Sequence, residues 1–301
     1  MTSIRKIVEC VPNFSEGRDP DKIEKIVAPL KDRQDVKLLN YEPDPDYNRL
    51  VVTVMGEPQA VKAAVLDAIE VATEVIDLNQ HQGEHLRMGA TDVVPFIPIR
   101  NMTMAETVEL AKEMGQAIYE RFSIPVFLYE EAATRPERKN LVTVRKGQFE
   151  GMAEKLKQDE WEPDFGQREI HQTAGVTAVG ARMPLVAYNI DLGTDNIDIA
   201  NAIARVIRQS GGGFQYIKAG GVELKEKGIV QVTMNITDYT KNPIYRVFET
   251  VKMEAKRYGV PILGSEIIGL APMEALTETA AYYLGLHDFD SSKLIESALI
   301  E

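Results

Sequence analysis

The chain has four histidines, and two of them, His81 and His85, fall in one twelve-residue stretch, residues 81–92. The same stretch holds Glu84, Arg87, Asp92, Gly83 and Gly89, and a hydrophobic run, residues 93–99, follows at once. Three chemistries fit these residues. Two imidazoles four apart share one face of a helix, the spacing of a zinc site. The two glycines oppose a sound helix, however, and the HExxH order is absent because Glu84 directly precedes His85. The second reading is proton transfer: a neutral imidazole near pH 7 takes a proton from a nucleophile and returns it to a leaving group. Glu84 or Asp92 would orient it, and Arg87 would hold a substrate carboxylate in a bidentate contact. The third is a loop whose histidines are surface or hydrogen-bonded groups.

Such a loop needs elements on both sides to hold it. Residues 4–11 read as a first strand. Asp19-Pro20 opens a helix to about Lys31, with Asp as N-cap and Pro at N1. Residues 36–41 and 50–55 read as strands, and residues 57–76 as a long amphipathic helix whose Ala64, Leu66, Ile69, Ala72 and Ile76 form a core face. The strand at 93–99 carries two prolines, which predicts an edge or bent strand. Thr103 and Glu106 form a capping box for a helix ending near Arg121. A strand at 125–129, a short helix at 147–158 and a loop from Glu160 to about Gly175 follow. Strand signals return at 176–179 and 185–192. The second half then reads helix 195–209, strands 215–224 and 229–237, helix 243–257, strand 262–268 and helix 272–284, with a short terminal helix from Asp290.

The order β-α-β-β-α-β appears in the second half, and in the first half with additions. That is the split-βαβ, ferredoxin-like order. The fold class is therefore α/β (α+β), with two ferredoxin-like βαββαβ-type subdomains, 1–183 and 184–301. Ser210-Gly-Gly-Gly213 follows a helix, so it reads as a C-cap and turn rather than a phosphate cradle.

The 301 residues are 44% hydrophobic and 27% charged, an ordinary globular balance. No apolar run is long enough for a membrane span. The net charge of −12 opposes binding to nucleic acid or anionic lipid. Cys10 is the only cysteine, so no intramolecular disulfide forms, and a reducing, cytoplasmic setting is expected. Cys10 reads as a buried strand residue rather than a nucleophile.

Several motifs resemble the formiminotransferase domain family. They are Val8-Glu-Cys-Val-Pro-Asn-Phe-Ser-Glu-Gly17, Asn48-Arg49, His81-Gln-Gly-Glu-His-Leu-Arg-Met-Gly89, Asp92-Val-Val-Pro-Phe-Ile-Pro98, Tyr129, Trp161-Glu-Pro-Asp-Phe-Gly166, Gly180-Ala-Arg182 and Gly264-Ser265. Their order along nearly the whole chain makes the resemblance specific. It implies transfer of a formimino group from N-formiminoglutamate to N5 of tetrahydrofolate, in histidine breakdown. It also implies two α/β subdomains side by side with the folate in a cleft between them. His85 matches the family's catalytic histidine. The folate loop corresponds to Gly166, Gln167, Arg168, Glu169, Ile170, His171, Gln172, Thr173, Ala174 and Gly175. His171 there either touches the pterin or caps the loop. Glu42, Asn48, Arg49 and Arg87 are the expected substrate contacts, with Arg100 and Arg182 ranked behind them. The chain departs from the family pattern at Leu86, Gln167 and Gln172, where proline is usual, and at Glu42, where aspartate is usual.

The resemblance further implies (poly)glutamylated tetrahydrofolate as co-substrate. The spacing of the histidine segment leads to no expected metal, paired α/β subdomains with open sheet edges make a homodimer the expectation, and a chain ending at Glu301 leaves the cyclodeaminase step to a separate protein. Two other readings stand beside formimino transfer: a formyl instead of a formimino donor, and a folate-binding module without turnover.

Overall fold

Alternating apolar residues build the first sheet in the computed structural model, which describes residues 5–295 and 297. The chain divides into two compact units, residues 1–182 and 183–301. It is a mixed α/β protein with one sheet in each unit.

In the first unit, β1 (Ile7–Cys10), β2 (Asn13–Phe14), β3 (Val36–Asp44), β4 (Arg49–Gly56), β5 (Thr91–Arg100), β6 (Val126–Glu130) and β7 (Thr177–Ala181) form a seven-stranded sheet. β3 pairs β4, and β4 pairs β1 and β2, all antiparallel. β1 and β2 pair antiparallel with β5, which runs parallel to β7, and β7 parallel to β6. Helices α1 (Pro20–Val27), α2 (Pro58–Val75) and α3 (Met104–Phe122) supply one layer. Their starts follow the local chemistry. Asp19 accepts from two amides of the first turn of α1, with Pro20 behind it, and the Thr103–Glu106 capping box closes α3. Val8, Cys10, Val52, Val54, Val94 and Phe96 meet the apolar stripe of α2 and α3 in one core. A second cluster, including Val93, Phe127, Tyr129 and Ala178, gathers Val144 of α4 (Leu141–Arg145), Met152 of α5 (Gln148–Lys155) and Trp161.

Two expectations change here. β5 is not an edge strand but a central one, with neighbours on both sides. Its prolines are tolerated because a proline carbonyl still accepts, as Pro95 does from the Val11 amide, and because the pairing with β1 and β2 shifts register twice. α4 is an addition: five residues with one buried side chain, too short to show a periodicity.

The second unit contains β8 (Val186–Leu192), α6 (Ile197–Ile207), β9 (Ile217–Leu224), β10 (Ile229–Ile236), α7 (Ile244–Arg257), β11 (Ile262–Ile268) and α8 (Met273–Leu284). Its four-stranded antiparallel sheet has the order β11-β8-β10-β9. Val186, Tyr188, Ile190 and Leu192 pack with Ile203, Ile207, Val247 and Val251 in a separate core. After α6, residues 209–211 form a 3-10 turn and Gly212 takes φ +86°, in keeping with the C-cap reading of the glycine run. Only a 3-10 turn at Ser291–Lys293 stands for the expected terminal helix, whose residues 296 and 298–301 lie outside the described ones.

Candidate active site

Between α2 and β5 the chain has no helix, so His81 and His85 do not share a helical face. The loop is held instead by a second one. Leu78 donates to the Thr173 carbonyl at 2.9 Å, Ala90 to Ala174 at 2.9 Å, and Val176 to Met88 at 3.0 Å. Asn79 Nδ2 adds a bond to the Gln172 carbonyl at 2.9 Å. The stretch expected to carry acid–base chemistry and the stretch expected to meet folate are thus knitted together. Gly89 permits this approach: a Cβ there would lie 2.1 Å from the Val176 carbonyl oxygen.

His85 lies in this loop with its side chain 11% exposed and its Nε2 3.5 Å from Asp92 Oδ2. That nitrogen is buried and has no hydrogen-bond partner. Asp92 is held from two other directions. Its Oδ1 accepts from the Met88 amide at 2.8 Å, and its Oδ2 from Arg145 Nε at 2.9 Å and Nη2 at 2.5 Å. Burial alone would push the Asp92 carboxyl up, but His85, Arg145 and the Met88 amide together hold it below its ordinary value. A buried, ionised carboxylate therefore faces one ring nitrogen of His85. The Tyr47 ring stands edge-on to the imidazole, with centroids 6.4 Å apart. The Arg49 guanidinium lies over the Tyr47 ring, 5.4 Å from its centroid, and Arg49 Nε is buried without a hydrogen-bond partner.

His81 has a different fate. Its Nε2 meets the Asn48 carbonyl at 2.9 Å, and its Nδ1 accepts from Arg87 Nε at 3.1 Å. This fixes a neutral Nε2–H tautomer. Burial, aided by the Arg87 charge, holds its pKa below 6.5 against the opposing pull of the Asn48 carbonyl. Both ring nitrogens are engaged, so His81 offers neither a metal ligand nor a proton carrier in this arrangement. Arg87 is equally occupied. Nη1 and Nη2 grip the Glu150 carboxylate at 2.9 and 2.7 Å, and further contacts reach Gln148 and the His81 carbonyl. The expected substrate contact at Arg87 thus meets a guanidinium whose donors already have partners.

Asn48 sits at φ +49°, a left-handed conformation that Asn tolerates. Its side chain accepts from the Gly17 amide at 2.9 Å and donates to the Gln82 carbonyl at 2.9 Å. Glu42 is exposed on β3, bonded to Asn40 Nδ2 at 2.6 Å. Glu84 and Leu86 are exposed. Arg100 and Arg182 both have interaction partners. Cys10 is buried, and burial with the nearby Glu9 charge pushes its thiol well up, which leaves it unreactive.

In the loop 166–175, Gly166 takes φ +111°. His171 Nδ1 accepts from the Ala174 amide at 3.0 Å, the contact of a loop cap. Arg168 pairs with Asp159 at 2.6 Å and Glu162 at 3.4 Å. Arg168, Glu169, Ile170 and Gln172 line an open cavity of about 670 Å³, whose wall also includes Asn79, Glu150 and Lys157. Glu150 connects this cavity to Arg87 and His81.

Tyr47, Glu150 and Arg145 were not singled out from the sequence. Tyr47 directly precedes a matched motif, which is the one signal available for it. Arg145 stands 53 residues from Asp92, and nothing local links them.

A profile for the formiminotransferase domain, N-terminal subdomain, matches residues 7–182, and one for the formiminotransferase domain matches residues 187–300. A glutamate formimidoyltransferase of Streptococcus pyogenes serotype M1 is 55% identical over 290 residues, 96% of this chain and 97% of that one. One from Thermoplasma acidophilum is 44% identical over 292 residues, 96% of each chain. The formimidoyltransferase-cyclodeaminase of Mus musculus is 40% identical over 284 residues, which cover 92% of this chain and 52% of its own length.

Proposed function

This chain belongs to the formiminotransferase domain family, and on that premise we propose that it is a glutamate formimidoyltransferase with His85 as the proton carrier. The formimino group passes from N-formiminoglutamate to N5 of tetrahydrofolate, leaving glutamate and 5-formiminotetrahydrofolate. The observation that carries the role of His85 is its Nε2, buried 3.5 Å from the ionised Asp92 carboxylate and without any other partner.

Asp92 orients the imidazole with its proton on Nε2, so Nδ1 is the atom that meets the substrates. N5 attacks the amidinium carbon, and a C–N bond forms. The proton released from N5 passes to His85, which becomes imidazolium beside Asp92. The same proton then goes to the glutamate nitrogen, and the second C–N bond breaks. The reacting group is cationic, so a carboxylate next to the imidazole suits it better than an oxyanion hole. Arg49, with a buried unpartnered nitrogen, is assigned to a substrate carboxylate. Arg87 and Asn48 become scaffold residues. Tetrahydrofolate is assigned to the loop 166–175 and the cavity that four of its residues line, where Lys157 offers a cation for a glutamyl tail.

Turnover of N-formiminoglutamate with tetrahydrofolate is measured for wild type and His85→Ala, with folate binding measured in both. The expected result is kcat lower by about 10²- to 10⁴-fold in the variant, with binding retained. Wild-type protein that binds folate but transfers nothing would overturn the assignment. A cytoplasmic homodimer is part of the same proposal, and a monomer mass in analytical ultracentrifugation refutes that part. No described helix is long and apolar enough to cross a membrane.

A further inference from the structure

The carboxylate beside His85 is held by a short helix, and a buried lysine closes that helix. Lys155, the last residue of α5, is 9% exposed. Its Nζ donates to the carbonyls of Val144 at 2.6 Å, Thr143 at 2.8 Å and Lys146 at 3.1 Å. The ammonium also lies 3.7 Å from the centroid of the Trp161 ring. α4 has only five residues; the Thr143 carbonyl accepts from the Lys146 amide, and the ammonium adds a donor to it and to the Val144 and Lys146 carbonyls at the end of the helix. A cation is favoured at a helix C-terminus and over an indole face.

That cation is kept under adverse conditions. Burial first, then the charges of Lys146 and Arg138 that face it, bring its pKa down to about 8. No carboxylate is among its hydrogen-bond partners. The residue it brackets is Arg145: Val144 and Lys146, two of the three acceptors, are its immediate neighbours. From that backbone Arg145 reaches Asp92 with two nitrogens.

We propose that Lys155 is a positioning residue for His85: by clamping the carbonyls on either side of Arg145, it fixes the Arg145–Asp92 pair that faces the imidazole. The proposal rests on the assignment of His85 as the proton carrier. Lys155 touches no substrate. It acts through three links: ammonium to carbonyls, guanidinium to carboxylate, and the 3.5 Å approach of that carboxylate to His85 Nε2, where a small displacement is felt at the reacting atoms.

The full chain is compared as wild type, Lys155→Met and Lys155→Arg. Two quantities are read: kcat and KM for tetrahydrofolate, and the tautomer of the His85 ring from its ¹⁵N chemical shifts. Lys155→Met is expected to lower kcat about 10- to 100-fold while KM stays within about twofold, the pattern of misplaced catalytic groups. Its His85 ring is expected to lose the preference for the Nε2–H tautomer. Lys155→Arg, which keeps the cation and its donors, is expected to restore both. Where Lys155→Met does not fold, Lys155→Gln replaces it, with donors but no charge. Unchanged kcat in the uncharged variant, or an equal loss in Lys155→Arg with the tautomer intact, would overturn the proposal. The tautomer needs no turnover. A wild type without transfer therefore refutes the reaction, while the tautomer shifts decide the role of Lys155 separately.

Discussion

His81 and His85 are four residues apart and chemically opposite. His81 accepts from Arg87 and donates to the Asn48 carbonyl, so its proton has a fixed seat. Its pKa lies below 6.5 in the fold, held down mainly by burial. The unfolded chain therefore binds a proton more readily than the folded one in the window just below pH 6.5. Stability from this source is full above that pH and declines as pH falls through the window. His171, also lowered by burial, acts in the same direction. The melting temperature is expected to drop as pH goes from 7 towards 5, and His81→Gln to make that slope shallower; an unchanged slope refutes the link. Asp92 differs because its partners outweigh its burial. Asp92→Asn removes the charge opposite His85 and leaves Arg145 without its partner. Expected are a kcat loss of about 10²-fold or more and a stability loss of about 3 kcal/mol, read by steady-state kinetics and urea unfolding.

Secondary structure supplies the seats for these side chains. The loop before β5 is held by hydrogen bonds to a second loop, and Asn48 ties it to the turn before β4. Asn48→Ala loses two hydrogen bonds and places a Cβ-bearing residue without a compensating side chain at φ +49°. A loss of about 2 kcal/mol is expected, and a melting temperature equal to wild type would sink that account. Gly89→Ala sets a methyl 2.1 Å from a backbone oxygen that no rotamer can move. It is expected to part the two loops and lower both stability and kcat. β5 shows why strand prolines mislead when read alone. The rule concerns the missing donor, and the neighbours of Pro95 use its carbonyl.

Each unit has its own buried core among the described residues, two clusters on the first sheet and one on the second. Ile190 is fully buried in the core of the second unit. Ile190→Ala is expected to cost about 2–5 kcal/mol locally, and native-state hydrogen exchange should lose protection at β8, β10 and α6. Amides of β1, β4 and β5 are expected to keep theirs, since local opening follows cooperative units. Uniform loss across both sheets would show a single cooperative unit.

Local patterns in the sequence determined much of this. The Asp19 and Thr103 caps, the apolar stripe of α2, the strands of both sheets apart from the two-residue β2 and the β-α-β-β-α-β order of the second unit follow from nearest neighbours and short periods, which act within a few residues. The density of ionisable groups at 81–92 was legible for the same reason, as was the glycine at 89 that such a loop needs. What each group does was not. His81 and His85 look alike in sequence, and only the surrounding carbonyl, guanidinium and carboxylate set them apart: both ring nitrogens of His81 are engaged, whereas His85 Nε2 lies 3.5 Å from Asp92 without a hydrogen bond. Arg87 fits a substrate contact until Glu150 and His81 fill its donors. Arg145 carries no local signal because Asp92 stands 53 residues away, and Lys155 carries none because its acceptors are backbone carbonyls of another helix end, 9 to 12 residues back, which no side-chain pattern marks. Hydrogen-bond satisfaction and burial are settled only when those segments meet, and that is a decision of the tertiary structure.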